Sequence, residues 1–132
     1  MNINKVLLVK CSDKKDFFAH WVSYINPNLG LTAREQEVLA SILRTRYELS
    51  KSIINQDTLD EICLNAENRA KISEYVGMSP QQFGVIVYKL KDMKILQPHF
   101  KDNGRTDYYK INPTLIPNYK EDEDFKFMIV FR

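Results

Sequence analysis

Apolar residues recur at helical spacing through most of this chain, and the rhythm breaks only at its two ends and around residue 100. Residues 3 to 10, with Val6-Leu7-Leu8-Val9 at their centre, read as a short aliphatic strand. Ser12 stands where it can cap a helix on which Phe17, Phe18, Trp21, Val22 and Ile25 share one side, and Pro27 and Gly30 close that helix. Thr32 and Glu35 form a T-x-x-E capping box, in which hydroxyl and carboxylate each satisfy a free backbone N–H. Val38, Leu39, Ile42 and Leu43 then mark one buried stripe on a helix running to about Leu49. A short amphipathic helix over residues 57 to 64 turns Leu59, Ile62 and Cys63 inward.

From residue 66 the pattern tightens. Ala70, Ile72, Tyr75 and Val76 fit a helix of about ten residues that ends at Gly77, a residue able to take the left-handed conformation of a sharp exit. A new helix begins at once: Ser79 as N-cap, Pro80 at the first helical position and Gln82 completing a second capping box. Phe83, Ile86, Val87 and Leu90 face inward, and the helix continues to Met93. Two short strands, residues 95 to 101 and 106 to 111, flank the turn Asp102-Asn103-Gly104-Arg105, and Asn-Gly is among the strongest short-range hairpin signals. Pro113 and Pro117 end the second strand, and residues 125 to 131 form a last β candidate.

Helix, tight turn, helix and hairpin in that order resemble a winged helix-turn-helix, over about 45 positions from Arg69 to Pro113. In a helix-turn-helix frame of roughly twenty residues beginning at Arg69, the fourth, eighth, tenth, fifteenth and eighteenth positions should be apolar. They are Ile72, Val76, Met78, Phe83 and Ile86; the fifth, where the helices cross, is the small Ser73, and the ninth is Gly77. The stretch Ile72 to Leu96 is similar to the paired helices of many bacterial and phage regulators. Leu31 to Leu39 also looks like the opening of the LuxR-type response-regulator domain. There the helix-turn-helix follows closely, whereas here an extra helix intervenes and a hairpin comes after, so residues 32 to 49 are read as the first helix of the winged domain.

The resemblance implies an α+β, mainly α fold: a winged helix-turn-helix whose helices are followed by a β-hairpin wing, with short N- and C-terminal strands that pair with each other or with those of a second copy. Residues 1–30 form an N-terminal extension for packing or oligomerisation, 31–117 the winged domain, and 118–132 an acidic linker and terminal strand. It also implies that helix 80–93 enters the major groove of double-stranded DNA. Its outer face would be Gln81, Gln82, Val85, Tyr88 and Lys89, where Gln suits an adenine edge, Val a thymine methyl, and Tyr or Lys phosphate or guanine. Asn103 and Arg105 at the wing tip, with Lys101 behind them, would meet the backbone or minor groove, and Arg69 and Lys71 would meet phosphate. Where many relatives carry Ser-Arg on the reading helix, this chain has Gly84-Val85. A helical Gly costs roughly 1 kcal/mol relative to Ala, so close approach of a partner backbone, DNA or protein, is its expected reason.

Composition adds exclusions. At 132 residues, 44% hydrophobic and 27% charged, the chain suits one globular domain with a core of its own. No apolar run nears the roughly 18 residues of a membrane span, and no signal peptide is visible, so the expected location is cytoplasmic, or the virion if the protein is phage-encoded. Charge concentrates in the middle: net zero over residues 1–65, +3 over 66–105 and −1 over 106–132, where the run Glu121 to Asp124 dominates. Cys11 and Cys63 lack CxxC spacing and read as reduced, half-buried thiols. A metal site would have to gather Cys11, His20, Cys63 and His99 from four segments, so neither metal nor cofactor is expected. No P-loop, GxGxxG, HExxH, nucleophile elbow or placed triad is present, which argues against an enzyme.

Two readings remain open at this level. The first is a DNA-binding transcription or replication regulator, dimeric or larger through its terminal strands and the aromatic stripe in residues 17–25. The second is a protein-interaction or structural protein that keeps the winged shape, such as a phage assembly or DNA-packaging component. It would use the terminal strands and the Val85–Tyr88 face as protein contacts.

Overall fold

In the computed structural model, residues 5–10, 14–118 and 126–131 are described, and five helices make up most of them. α1 (Lys14–Ile25) lies against α2 (Ala33–Ser50), with α3 (Gln56–Cys63) beside α2 and the pair α4 (Ala66–Tyr75) and α5 (Pro80–Asp92) closing the bundle. β2 (Leu96–Phe100) and β3 (Thr106–Ile111) form an antiparallel hairpin, and β1 (Lys5–Lys10) pairs antiparallel with β4 (Lys126–Phe131). The expected α+β, mainly α class holds. The terminal strands pair with each other, with Lys5 opposite Phe131 and Lys10 opposite Lys126.

The core follows the helical stripes. Phe17, Phe18 and Val22 of α1 meet Val38, Leu39, Ile42 and Leu43 of α2, and Phe83, Val87 and Leu90 of α5 close over them. α1 thus enters the same core as the later helices, and of its aromatic stripe only Tyr24 is well exposed. The Trp21 indole N–H donates to the Leu115 carbonyl at 2.8 Å, fastening α1 to the chain beyond the hairpin. α3 is held to α2 by an ion pair, Arg46 Nε to Asp60 Oδ1 at 2.9 Å, in which both side chains are largely buried. Arg46 also donates to Gln56 Oε1. The base of the hairpin, Leu96 opposite Ile111, is buried in the core while its tip is solvated.

Several expectations are corrected. Ile62 is half-buried rather than inward. Cys63 is fully buried, not half-buried: its thiol donates to the Ile42 carbonyl, and desolvation pushes it up to about 12, leaving it inert as a nucleophile or ligand. α3 starts at Gln56 because Asn55 caps it by accepting the Thr58 N–H. Ser12, Cys11 and the acidic run 121–124 lie outside the described residues. Among those described, no helix is long and apolar enough to cross a membrane.

Candidate nucleic-acid interface

The α4–α5 joint is built from capping chemistry. Asn65 caps α4 by accepting the Asn68 N–H at 2.9 Å. At the far end Gly77 takes φ +69°, so that its N–H reaches the Glu74 carbonyl and the Met78 N–H reaches that of Ser73. Ser73, the small residue required at the crossing, adds a bond from its own hydroxyl to the Met78 carbonyl at 2.9 Å. The Ser79 hydroxyl then accepts the Gln82 N–H, and Gln82 Oε1 accepts the Ser79 N–H, both at 3.2 Å, which starts α5 one residue later. α5 ends in a second tight exit, where Ile95 N–H bonds Leu90 O and Lys94 takes φ +64°. Lys89 and Lys91 in its last turn favour the negative end of the helix dipole.

The pair is fixed to the bundle by two adjacent residues at the start of α2. The Arg34 guanidinium donates to the Val76 carbonyl at 2.9 Å, and the Glu35 carboxylate receives Lys89 Nζ at 2.7 Å. Glu35 Oε1 also accepts the Thr32 N–H at 2.9 Å, closing its own capping box. Those bonds, Lys89 foremost, hold its carboxyl below the usual carboxylate range.

The expected site residues fall into three groups. Gln81, Gln82, Val85 and Tyr88 do lie outward on α5, opposite the buried Phe83, Val87 and Leu90; Val85 is 70% and Tyr88 72% exposed. Gln82 has committed its amide oxygen to the capping box and keeps its amide N–H groups for other use. Between them Gly84 is half-buried, and a Cβ added there would meet nothing within 4 Å. Packing among the described residues gives this glycine no reason to exist. Lys101, Asn103 and Arg105 are exposed together at the hairpin tip, where Asn103 Oδ1 accepts the Arg105 N–H at 3.0 Å and Gly104 turns the chain at φ +83°.

The third group is engaged elsewhere. Lys89 is a strut to Glu35 rather than a free cation of the outer face, a partner 54 positions away in sequence. Lys71 pairs with Glu67 at 3.2 Å on the exposed side of α4. Arg69 turns toward α5, its guanidinium 6.0 Å from the Phe83 ring centre. There it faces Lys91, which the sequence reading left out: Lys91 Nζ sits 4.1 Å over the Tyr109 ring, and burial together with Arg69 depresses its pKa. Nothing in the sequence signals that meeting, since the strand that brings Tyr109 to Lys91 arrives from the hairpin. Beneath α3, His99 stacks on Tyr108 at 4.6 Å, and the sealed Tyr108 hydroxyl has no hydrogen-bond partner among the described residues. Its phenol is pushed up by burial and then by Asp57, Asp60, Glu61 and Asp107 around it. Among the described residues no group of three or more His, Cys, Asp or Glu could hold a metal ion. No protein-family model, curated protein or solved structure matches the chain.

Proposed function

We propose that the protein is a non-enzymatic winged helix-turn-helix protein that binds double-stranded DNA and regulates transcription or replication. α5 lies in the major groove, and the tip of the β2–β3 hairpin lies on the backbone or in the minor groove. The observation that carries this reading is the outer side of α5. Its inner side is locked into the core, its ends are capped, and Gln81, Gly84, Val85 and Tyr88 remain as a rigid uncovered strip. Gln81 and the free amide of Gln82 supply base-edge donors, Val85 an apolar contact for a thymine methyl, and Gly84 room for a backbone to approach. Arg105 and Lys101 supply the charge, since Lys89 is spoken for by Glu35.

Fluorescence anisotropy with random duplex DNA at several salt concentrations tests it. Affinity should fall steeply as salt rises, with a log–log slope of about −0.9 per phosphate contact. The double variant Lys101→Ala with Arg105→Ala should make that slope shallower by about two. Absence of binding even at low salt would overturn the reading.

One observation favours a second reading, a winged-helix protein whose α5 face docks on another protein. With Lys89 paired, the strip centred on Val85 and Tyr88 holds two large exposed apolar groups and no charge of its own. Val85→Asp would then abolish assembly while leaving the fold intact.

A further inference from the structure

A cleft of about 380 Å³ opens where α1, α2 and the C-terminal end of α4 meet. Its apolar walls come from Phe18, Ala40 and Val76. Three polar side chains of α2 line it, Glu37, Ser41 and Arg44. Ser41 is 6% exposed and lines the cleft. Among the described residues only the Tyr108 hydroxyl is both sealed from solvent and unpartnered, so the Ser41 hydroxyl, which has no bond among those residues, opens into the cleft.

Three residues on, Arg44 lays its guanidinium on the Tyr75 ring, 4.0 Å from the ring centre. Stacking uses the flat face and leaves the N–H edge to take a carboxylate through two parallel bonds. Arg44 has no ion pair among the described residues, and Glu37, the carboxylate at the rim, is held by Arg34. The cleft therefore presents an uncompensated, pre-oriented cation, a free hydroxyl and apolar walls. Its volume lies within the range of small-molecule sites, roughly 300–1,000 Å³.

We propose that this cleft binds a small carboxylate with a flat or branched apolar body. Arg44 grips the carboxylate, Ser41 donates a further bond, and the body rests on Phe18, Ala40 and Val76. Val76 is also the last residue before the Gly77 turn, and its carbonyl is tied to Arg34. A ligand seated against it bears on the joint that sets the angle of α5, which makes the cleft an effector site.

Isothermal titration calorimetry of the full chain with benzoate, phenylacetate and 4-methylpentanoate, each beside its neutral amide, tests the proposal without DNA. Its outcome is therefore separable from whether α5 reads DNA. At least one acid should bind saturably while its amide does not. Arg44→Gln should weaken that binding by roughly 10- to 100-fold, the span of a lost charge-assisted pair, and Ser41→Ala by about 3- to 10-fold. Circular dichroism should show both variants folded; should Arg44→Gln fail to fold, Ser41→Ala and the acid–amide comparison still decide. No acid binding at about 10 mM, equal binding of acid and amide, or unchanged affinity in both folded variants would overturn it.

Discussion

The contact between Lys89 and Glu35 decides how one residue is best understood. Glu35 carries two duties at once, capping α2 through Thr32 and receiving Lys89, and it is nearly buried while doing so. A carboxyl whose folded pKa is lowered stabilises the fold above its unfolded pKa, and that stability drains away as pH falls through the lower folded value. The thermal midpoint should therefore drop on acidification from about pH 4.3 downward. Lys89→Met, which keeps the aliphatic stem, should cost about 1 kcal/mol at neutral pH, since Lys89 is 42% exposed and its pairing is screened. Its acid-induced drop should be shallower than that of the wild type. Thermal melts of both proteins between pH 7 and pH 3 check this, and superimposable pH profiles would show that the ion pair is idle. On the same logic Lys89→Met should alter DNA affinity far less than Arg105→Ala.

At the scale of elements, α5 shows what patterning and capping can reveal and what they cannot. Ser79, Pro80, Gln82 and the apolar spacing of Phe83, Val87 and Leu90 make its start and its inner side legible, because both depend on residues within one or two turns. The outer face was equally legible by subtraction. Its end near Met93 was legible too, but not the way the chain turns there: Lys94 at φ +64° does what glycine does at Gly77, and no local signal marks it. Nor could sequence show that Lys89 leaves the outer face, that Tyr75 lies under Arg44, or that Lys91 meets Tyr109. Each of those meetings is made by two elements crossing, which spacing along one element cannot encode. Gly84 stands between the two cases, visible as an oddity in sequence and still without an internal reason in the fold. Gly84→Ala should raise stability by up to about 1 kcal/mol, or roughly 3–5 °C in thermal midpoint, because the added methyl meets open space. If a DNA backbone is the reason for the glycine, the same variant should bind duplex DNA more weakly despite being more stable. A stability gain with unchanged affinity would remove Gly84 from the interface.

At the scale of the whole molecule, β1 and β4 join distant parts of the chain in a two-stranded ribbon, and its register sets a problem that the helices do not. Opposed residues share a face: Leu7 with Ile129 and Val9 with Phe127 on one, Val6 with Val130 and Leu8 with Met128 on the other. Both faces are therefore apolar, whereas a hairpin with one wet side alternates apolar with polar positions. Two strands alone are marginal in water, so a ribbon apolar on both faces needs cover. In sequence Lys5 and Lys10 bracket β1, while β4 runs from Lys126 to Phe131. We expect one face to rest on the helical body and the other on a second copy of the chain. Leu7 and Leu8 are adjacent and lie on opposite faces, so Leu7→Lys and Leu8→Lys separate the two roles. One variant should lower the thermal midpoint by several degrees, the response to a charge placed in a packed surface. The other should halve the molar mass measured by light scattering and leave the circular dichroism unchanged. If both variants keep the mass and the midpoint of the wild type, the ribbon is covered on neither face and carries no interface between copies.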